Sequence, residues 1–429
     1  MPYKDIPKSV EEFMGKIEQK CGSEHADWAK NFSTAFANTL LTTVKRHSDG
    51  TTFLLTGDIP AMWLRDSTAQ VRPYLVIAKE DKDLAAMISG LVKKQFFYIN
   101  IDPYANAFNE EANGAGHQSD HTEMNDWIWE RKYEIDSLCY PVQLAYLLYK
   151  NTGQTDQFDD SFVSGIEKIL NVFQTEQDHT KSPYRFERDT TRLEDTLVND
   201  GEGAKVVPTG MTWSGFRPSD DTCQYGYLVP SNMFAVVVLG YIEEIFQTVL
   251  SNNQIVAKAT TLREEIQQGI EVHGKTNNQA QETIFAYEVD GQGNTSIMDD
   301  SNVPNLMAAP YLGYCSSKDE TYLQTRKTLL SPENPYFYEG KYAKGIGSSH
   351  TPENYVWPIA LAMEGMTTDD RKEKERILDL LVATDAGTNL MHEGFDVDNP
   401  NNYTREWFSW ANMMFCELVM DYFDIRVEK

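Results

Sequence analysis

A chain of 429 residues has room for two or three average domains or one large one, and its 41% apolar and 12% aromatic content can build a sizeable core, which argues against disorder. A formal net charge of −27 argues against nucleic acid or an anionic membrane surface as partner, because binding phosphates needs clustered Lys and Arg. Five scattered cysteines (Cys21, Cys139, Cys223, Cys315, Cys416), odd in number and without a Cys-x-x-Cys pair, form a reduced, cytoplasmic pattern rather than a disulfide framework. The start of the chain has no apolar signal core, and the longest greasy stretch, Phe234–Gly240, falls well short of the roughly 18 apolar residues of a membrane span. A cytoplasmic location is therefore expected.

In chain order, a short helix is predicted near 8–20. Trp28, Phe32, Phe36, Leu40 and Val44 then recur at steps of four, giving one apolar stripe on a long helix. Similar periodicity predicts helices at 67–79, 83–100, 136–151, 157–177, 231–250, 254–272, 302–314, 319–330, 354–364, 370–386 and 407–424. Extended candidates are few: Thr51–Leu55, Lys205–Val207 and Thr283–Val289. No linker rich in Gly, Ser or Pro divides the chain, so a single all-α domain over 1–429 is expected.

The connections alternate in chemistry. Trp, Asp, His and Asn gather in Trp63–Asp66, Asn125–Glu130, Trp213–Asp221, Met298–Asn302, His350–Tyr355 and His392–Asp396, whereas Lys79–Leu84, Asn151–Gln157 and Ser251–Ile255 are short and ordinary. About twelve helices with alternating rich and plain connections predict an (α/α)6 toroid of six helical hairpins, with the rich loops gathered at one mouth. The pairs Asp66-Ser67, Asp136-Ser137, Pro230-Ser231 and Asp300-Ser301 are expected as helix N-caps.

Gly57–Thr68 combines an aromatic plate, a guanidinium and carboxylates at the start of a helix, a mixture that suits a sugar. The Trp63 ring can stack on the apolar face of a pyranose, while Arg65 and Asp66 bind its hydroxyls; the competing reading makes Asp66 or Ser67 a cap and Trp63 core. Glycoside hydrolysis needs two carboxyl groups, one protonated to assist the leaving oxygen and one to activate water or attack. The rich loops offer Asp66, Asp126, Glu130, Asp220, Asp221, Asp299, Asp300, Glu353, Glu393 and Asp396, and residue type alone does not choose among them. Asp126, Asn302 and His350 join Arg65 and Asp66 as candidates for gripping sugar hydroxyls, and Trp63, Trp129 and Tyr227 as stacking surfaces. His117, His121 and Glu123 have helical zinc spacing for the two histidines, but Asn113–Gly116 before them is loop-like and the Glu follows the second His, so a loop at the pocket rim is the better reading and no metal is expected. Dinucleotide, phosphate-loop and Gly-x-Ser-x-Gly patterns are absent, and no cofactor is expected.

The runs Gly57–Ser67, Trp213–Asp221 and Met391-His392-Glu393-Gly394-Phe395 resemble those of glycoside hydrolase family 125, and the likeness extends over nearly the whole chain. The resemblance implies a metal-independent, inverting exo-α-1,6-mannosidase with an (α/α)6 fold. It also implies that the first Asp after Arg-Pro-Ser, Asp220, is the general acid, and the Glu of His-Glu-Gly-Phe, Glu393, the general base. Inversion would place the two carboxyl groups about 6.5–9.5 Å apart, leaving room for the attacking water. The expected substrates are α-1,6-linked mannosides: short oligosaccharides or N-glycan fragments with a terminal mannose. Two alternatives are a polysaccharide lyase on a helical toroid, which would want basic residues at the mouth, and a noncatalytic glycan-binding protein, which would lose a carboxyl. The acidic rich loops and the presence of both motif carboxyls disfavour them.

Overall fold

The computed structural model describes residues 3–429. Helix makes up 46% and strand 11%, so the strands are short pieces within a helical protein. The helices form where apolar periodicity places them: Lys8–Cys21, Ala26–Thr42, Leu64–Val71, Lys82–Ile101, Ile135–Thr152, Asp160–Glu176, Val229–Thr248, Asn253–His273, Glu320–Leu329, Pro358–Met366, Arg371–Ala383 and Ser409–Tyr422 are the main ones. The chain divides into two compact units, one of residues up to Lys94 with Leu144–Gln157 and Phe337–Lys429, the other of Gln95–Gln143 with Phe158–Tyr336.

In the first unit, Ser409–Tyr422 is buried along its whole length and packs against Ala26–Thr42, Leu64–Val71, Pro358–Met366 and Arg371–Ala383. A helix without a solvent face must neutralise whatever charge it carries. Glu417 pairs with Arg72, and Asp421 with Lys374 and Arg426. Gly365 allows the close crossing with Pro358–Met366, since a Cβ there would lie 2.7 Å from the Leu418 side chain. Lys8–Cys21 buries Val10, Phe13, Ile17 and Cys21 as one stripe, and Phe13 meets Phe32 and Phe36 of the next helix.

The core of the second unit is the antiparallel pair Val229–Thr248 and Asn253–His273. Val229–Thr248 is long and apolar enough to cross a membrane by length and composition, unlike the short run the sequence suggested, but 67% of that window is buried among its neighbours. Ahead of it, Tyr227–Leu228 pairs with Glu288–Val289, which pairs in turn with Thr295–Ser296.

Three expectations need correction. Lys205–Val207 is no strand, although the Val207 N–H donates to the Asp290 carbonyl at 2.9 Å. The helix expected at 302–314 shrinks to Ala309–Leu312. Buried side chains outcompete helix formation there: Asp299 accepts the Leu306 and Met307 N–H groups at 2.8 and 3.0 Å, and Asp300 accepts that of Asn302 at 3.0 Å. Pro304 and Pro310 have no N–H to give a ladder. Burial pushes the Asp299 carboxyl up to about 8, against the pull of those two N–H groups. Third, the Asp-Ser pairs are not caps.

Helices after the rich loops begin behind an extended Trp63, Leu228, Trp357 or Phe408 that offers no side-chain cap, the first two earlier than expected and the last two later. Asp66-Ser67, Asp136-Ser137 and Pro230-Ser231 consequently lie within the first turns, and Asp300-Ser301 precedes the shortened helix. Helices after plain connections carry ordinary caps, from Asp159, Asn252, Asp319 and Asp370. All five cysteines are free thiols, four of them buried.

Candidate active site

Three of the rich loops lie in each unit, with Glu393 in the first and Asp220 in the second. In the first unit, Gly394–Asp396 is the middle strand of a small antiparallel sheet, between Tyr355–Val356 and Asn399–Thr404. Glu393 immediately precedes this strand, its N–H donated to the Thr404 carbonyl at 3.2 Å, so main-chain bonds set its position. The chain then turns at Arg405, in left-handed backbone (φ +49°), and the guanidinium lies between two carboxylates. It grips Asp58 with Nη2 at 2.5 Å and Nε at 3.1 Å, and Nη1 stands 3.6 Å from Glu393 Oε1. Burial pulls the Arg405 pKa down, but the Asp58 hydrogen bond and the charge of Glu393 more than offset this, so it remains a cation. His392 stacks on Tyr403 at 3.8 Å, and burial pushes its pKa below the ordinary histidine value.

Trp63 ends the strand Met62–Trp63, buried, and its indole N–H meets no hydrogen-bond partner among the described residues. Arg65 and Asp66 follow in the first helical turn, both buried, with Arg65 Nε 3.6 Å from Asp66 Oδ2 and the guanidinium 5.7 Å from the centre of the Trp410 ring. A carboxylate at that point also sits against the positive end of the helix dipole. His350 is exposed in its loop, with its N–H on Ser348 Oγ at 3.1 Å.

In the second unit, Asp220 occupies a left-handed position (φ +65°) in the turn between Phe216 and Thr222, whose backbones bridge. Main-chain bonds close this turn, the Asp220 N–H on the Arg217 carbonyl at 2.9 Å and the Arg217 N–H on the Asp221 carbonyl at 2.7 Å, and side chains brace it. Arg217 Nε donates to Glu288 Oε1 at 2.6 Å, and Glu288 Oε2 accepts the N–H groups of Gln224 and Tyr225 at 2.9 and 3.0 Å. Arg192 Nη2 donates to Asp221 at 2.9 Å. Lys132 Nζ donates to the Asp220 carbonyl at 2.7 Å and to Asp195 Oδ1 at 3.1 Å. Burial pulls the Lys132 pKa down, while the charges of Glu130 and Asp220 raise it to a net increase, so the ammonium persists. Below the turn, Trp213 lies flat on His179, ring centres 3.5 Å apart, and is walled by glycines; a Cβ on Gly226 would lie 2.2 Å from the indole.

Several acidic candidates are already engaged. Glu130 accepts from Arg188 at 2.8 Å and from Asn106 at 3.2 Å, Asp299 from two backbone N–H groups, and Asp396 from the Asp398 N–H at 2.9 Å. Asp126 and Glu353 are exposed. Asn302 is buried and donates to Asp300 Oδ1 at 3.0 Å, within its own loop. Trp129 is half-buried with the His117 ring at its edge, and Gly116 must be glycine because a Cβ would lie 2.4 Å from the Trp129 carbonyl. Tyr227 has no exposed surface, and its hydroxyl donates to the Gln177 carbonyl at 3.3 Å. His117, His121 and Glu123 each face a different partner: His117 faces Glu130 at 3.8 Å, His121 faces Asp189 at 3.3 Å and Glu123 faces Arg131 at 3.6 Å. Sequence reasoning passed over Asn106, Lys132 and Arg405. Rare cations beside acidic loops in a chain of charge −27 were a usable signal for the last two.

Residues 25–420 match the family model for metal-independent alpha-mannosidase (GH125). The chain belongs to glycoside hydrolase family 125. A solved relative from Streptococcus pneumoniae, a metal-independent alpha mannosidase in a non-productive complex with alpha-1,6-mannobiose, is 59% identical, with a TM-score of 0.97 over 98% of this chain and 99% of the other. A curated relative, the Meiotically up-regulated gene 157 protein of Schizosaccharomyces pombe, is 36% identical over 96% of this chain and 85% of its own length. A bacterial glucoamylase complexed with acarbose shares the fold at 11% identity, TM-score 0.60, covering 97% of this chain and 58% of that one. The family 125 fold is (α/α)6, as the alternation of helices and rich loops predicts. The chain is accordingly a glycosidase acting on α-mannosides.

Proposed function

We propose that this family 125 enzyme removes terminal, non-reducing α-1,6-linked mannose from short oligosaccharides and N-glycan fragments by single displacement with inversion. Asp220 gives its proton to the departing glycosidic oxygen, and Glu393 takes one from the water attacking the opposite face. The observation that carries the reading is the 59% identity to a mannosidase that holds alpha-1,6-mannobiose, together with the presence of both motif carboxyls. Local geometry supports each role. Glu393 is fixed by main-chain bonds beside a persistent cation, and Asp220 stands in a side-chain clamp with surface still open to solvent. Trp63, Arg65 and Asp66, gathered within four residues at a buried helix start, are the proposed grip on the terminal mannose.

The test is proton NMR of α-1,6-mannobiose with purified enzyme and a chelator, following the anomeric signals. Early β-mannose is the expected result. Early α-mannose would overturn inversion, and no cleavage would overturn the substrate.

A further inference from the structure

We infer that Asn106 is a positioning residue for the acid step, its side-chain amide fixing which oxygen of the Asp220 carboxyl holds the transferable proton; this rests on the reading of Asp220 as general acid. Asn106 is fully buried just before the strand Ala107–Phe108, outside every motif that the family likeness rests on. The Lys132 backbone N–H donates to Asn106 Oδ1 at 3.1 Å. A backbone N–H can only donate, so the amide atom facing it must be the oxygen, and the NH2 group must point the other way. There it meets two carboxyl groups, with Nδ2 3.2 Å from Asp220 Oδ1 and 3.2 Å from Glu130 Oε2. Glu130 is anchored in turn by Arg188 on its other oxygen at 2.8 Å.

An amide N–H offered to Oδ1 favours Oδ1 as the acceptor oxygen of the neutral acid and leaves Oδ2 to bear the hydrogen. The same Lys132 whose N–H orients Asn106 puts its ammonium on the Asp220 carbonyl, so one residue fixes both the main chain and, through Asn106, the side chain of the acid. The other charges around this turn include Glu130, Asp195 and Arg188 near Lys132, Arg192 on Asp221, and the Arg217–Glu288 pair. The proton balance is simple. Asp220 begins neutral, gives the Oδ2 proton to the glycosidic oxygen as the C–O bond breaks, and ends as a carboxylate that Asn106 Nδ2 stabilises.

The test compares α-1,6-mannobiose, whose leaving alcohol needs a proton, with α-mannosyl fluoride, whose leaving fluoride does not. In N106A, kcat/KM on mannobiose should fall on the order of 100-fold, within the range for general acid catalysis, while kcat/KM on the fluoride changes less than about threefold. Equal losses on both substrates, or no loss on mannobiose, would overturn the inference. Should N106A fail to fold, N106D retains the side-chain volume. Loss of the donor and gain of a neighbouring carboxyl should then move the alkaline limb of kcat/KM on mannobiose to higher pH, and an unmoved limb overturns the proposal. D220N serves as the reference. If it loses both substrates equally, Asp220 is not the acid, and both readings fall together for a reason separable from Asn106.

Discussion

The two carboxyl groups proposed for catalysis are supported to different degrees by side chains. Glu393 is held by main chain: its N–H bonds Thr404, and the following strand is laced between two neighbours. Asp220 sits in a left-handed turn that main-chain bonds close but that depends further on the side chains of Lys132, Asn106, Arg192 and the Arg217–Glu288 pair. Backbone support tolerates substitution at most positions, because any residue except proline supplies the same N–H and C=O groups. Side-chain support fails one residue at a time.

The largest effect that would sharpen this contrast is Glu393→Gln. It should lower kcat on mannobiose by about 10²–10⁴, the usual share of a general base, and cost no more than about 1.5 kcal/mol of stability, since the strand remains and Arg405 keeps its grip on Asp58. A large fall in Tm would break the comparison. Next is Lys132→Ala, which leaves Glu130, Asp195 and the Asp220 carbonyl around a vanished buried cation. A loss of about 3–5 kcal/mol is expected in urea unfolding, and a near-neutral result would deny that side chains hold the turn. Gly226→Ala drives a methyl into Trp213 beneath the same turn and should reduce stability by about 1–3 kcal/mol, read as a lowered Tm. The smallest change is Arg405→Lys on the Glu393 side. Losing the two-pronged grip on Asp58 should reduce kcat/KM about tenfold, roughly 1.4 kcal/mol, with the strand intact by circular dichroism.

Much of the fold was legible because long helices advertise themselves by period. Phe13 and Ile17, or Trp28, Phe32 and Phe36, mark buried stripes without any knowledge of their partners. The segment 302–314 misled because its apolar pattern is genuine, but buried Asp299 and Asp300 take the backbone donors a helix would need. Whether an Asp faces solvent or its own main chain depends on burial, which periodicity does not report. Helix starts misled similarly. An Asp-Ser pair reads as a cap, yet Trp63 and Leu228, extended and apolar, occupy that place. At the candidate site, the proposal of Asp220 and Glu393 comes from motif resemblance, and residue type alone left ten acidic candidates open. Asn106 was invisible because its role depends on a contact 114 residues away in sequence. Tyr227 illustrates the opposite error, an aromatic near a rich loop that the structure packs inside.

The five free thiols have a practical consequence. Burial raises the pKa of every one, to about 11 for Cys21, about 12 for Cys315 and well above the ordinary value for Cys139, Cys223 and Cys416. It is the thiolate that attacks alkylating reagents and peroxide, so the native cysteines should react sluggishly at neutral pH. A cysteine introduced at an exposed position, such as Leu193 or Tyr342, would then take a fluorophore or spin label selectively against the native background. Distance measurements across the working enzyme could thus be made without stripping it of its own sulfur.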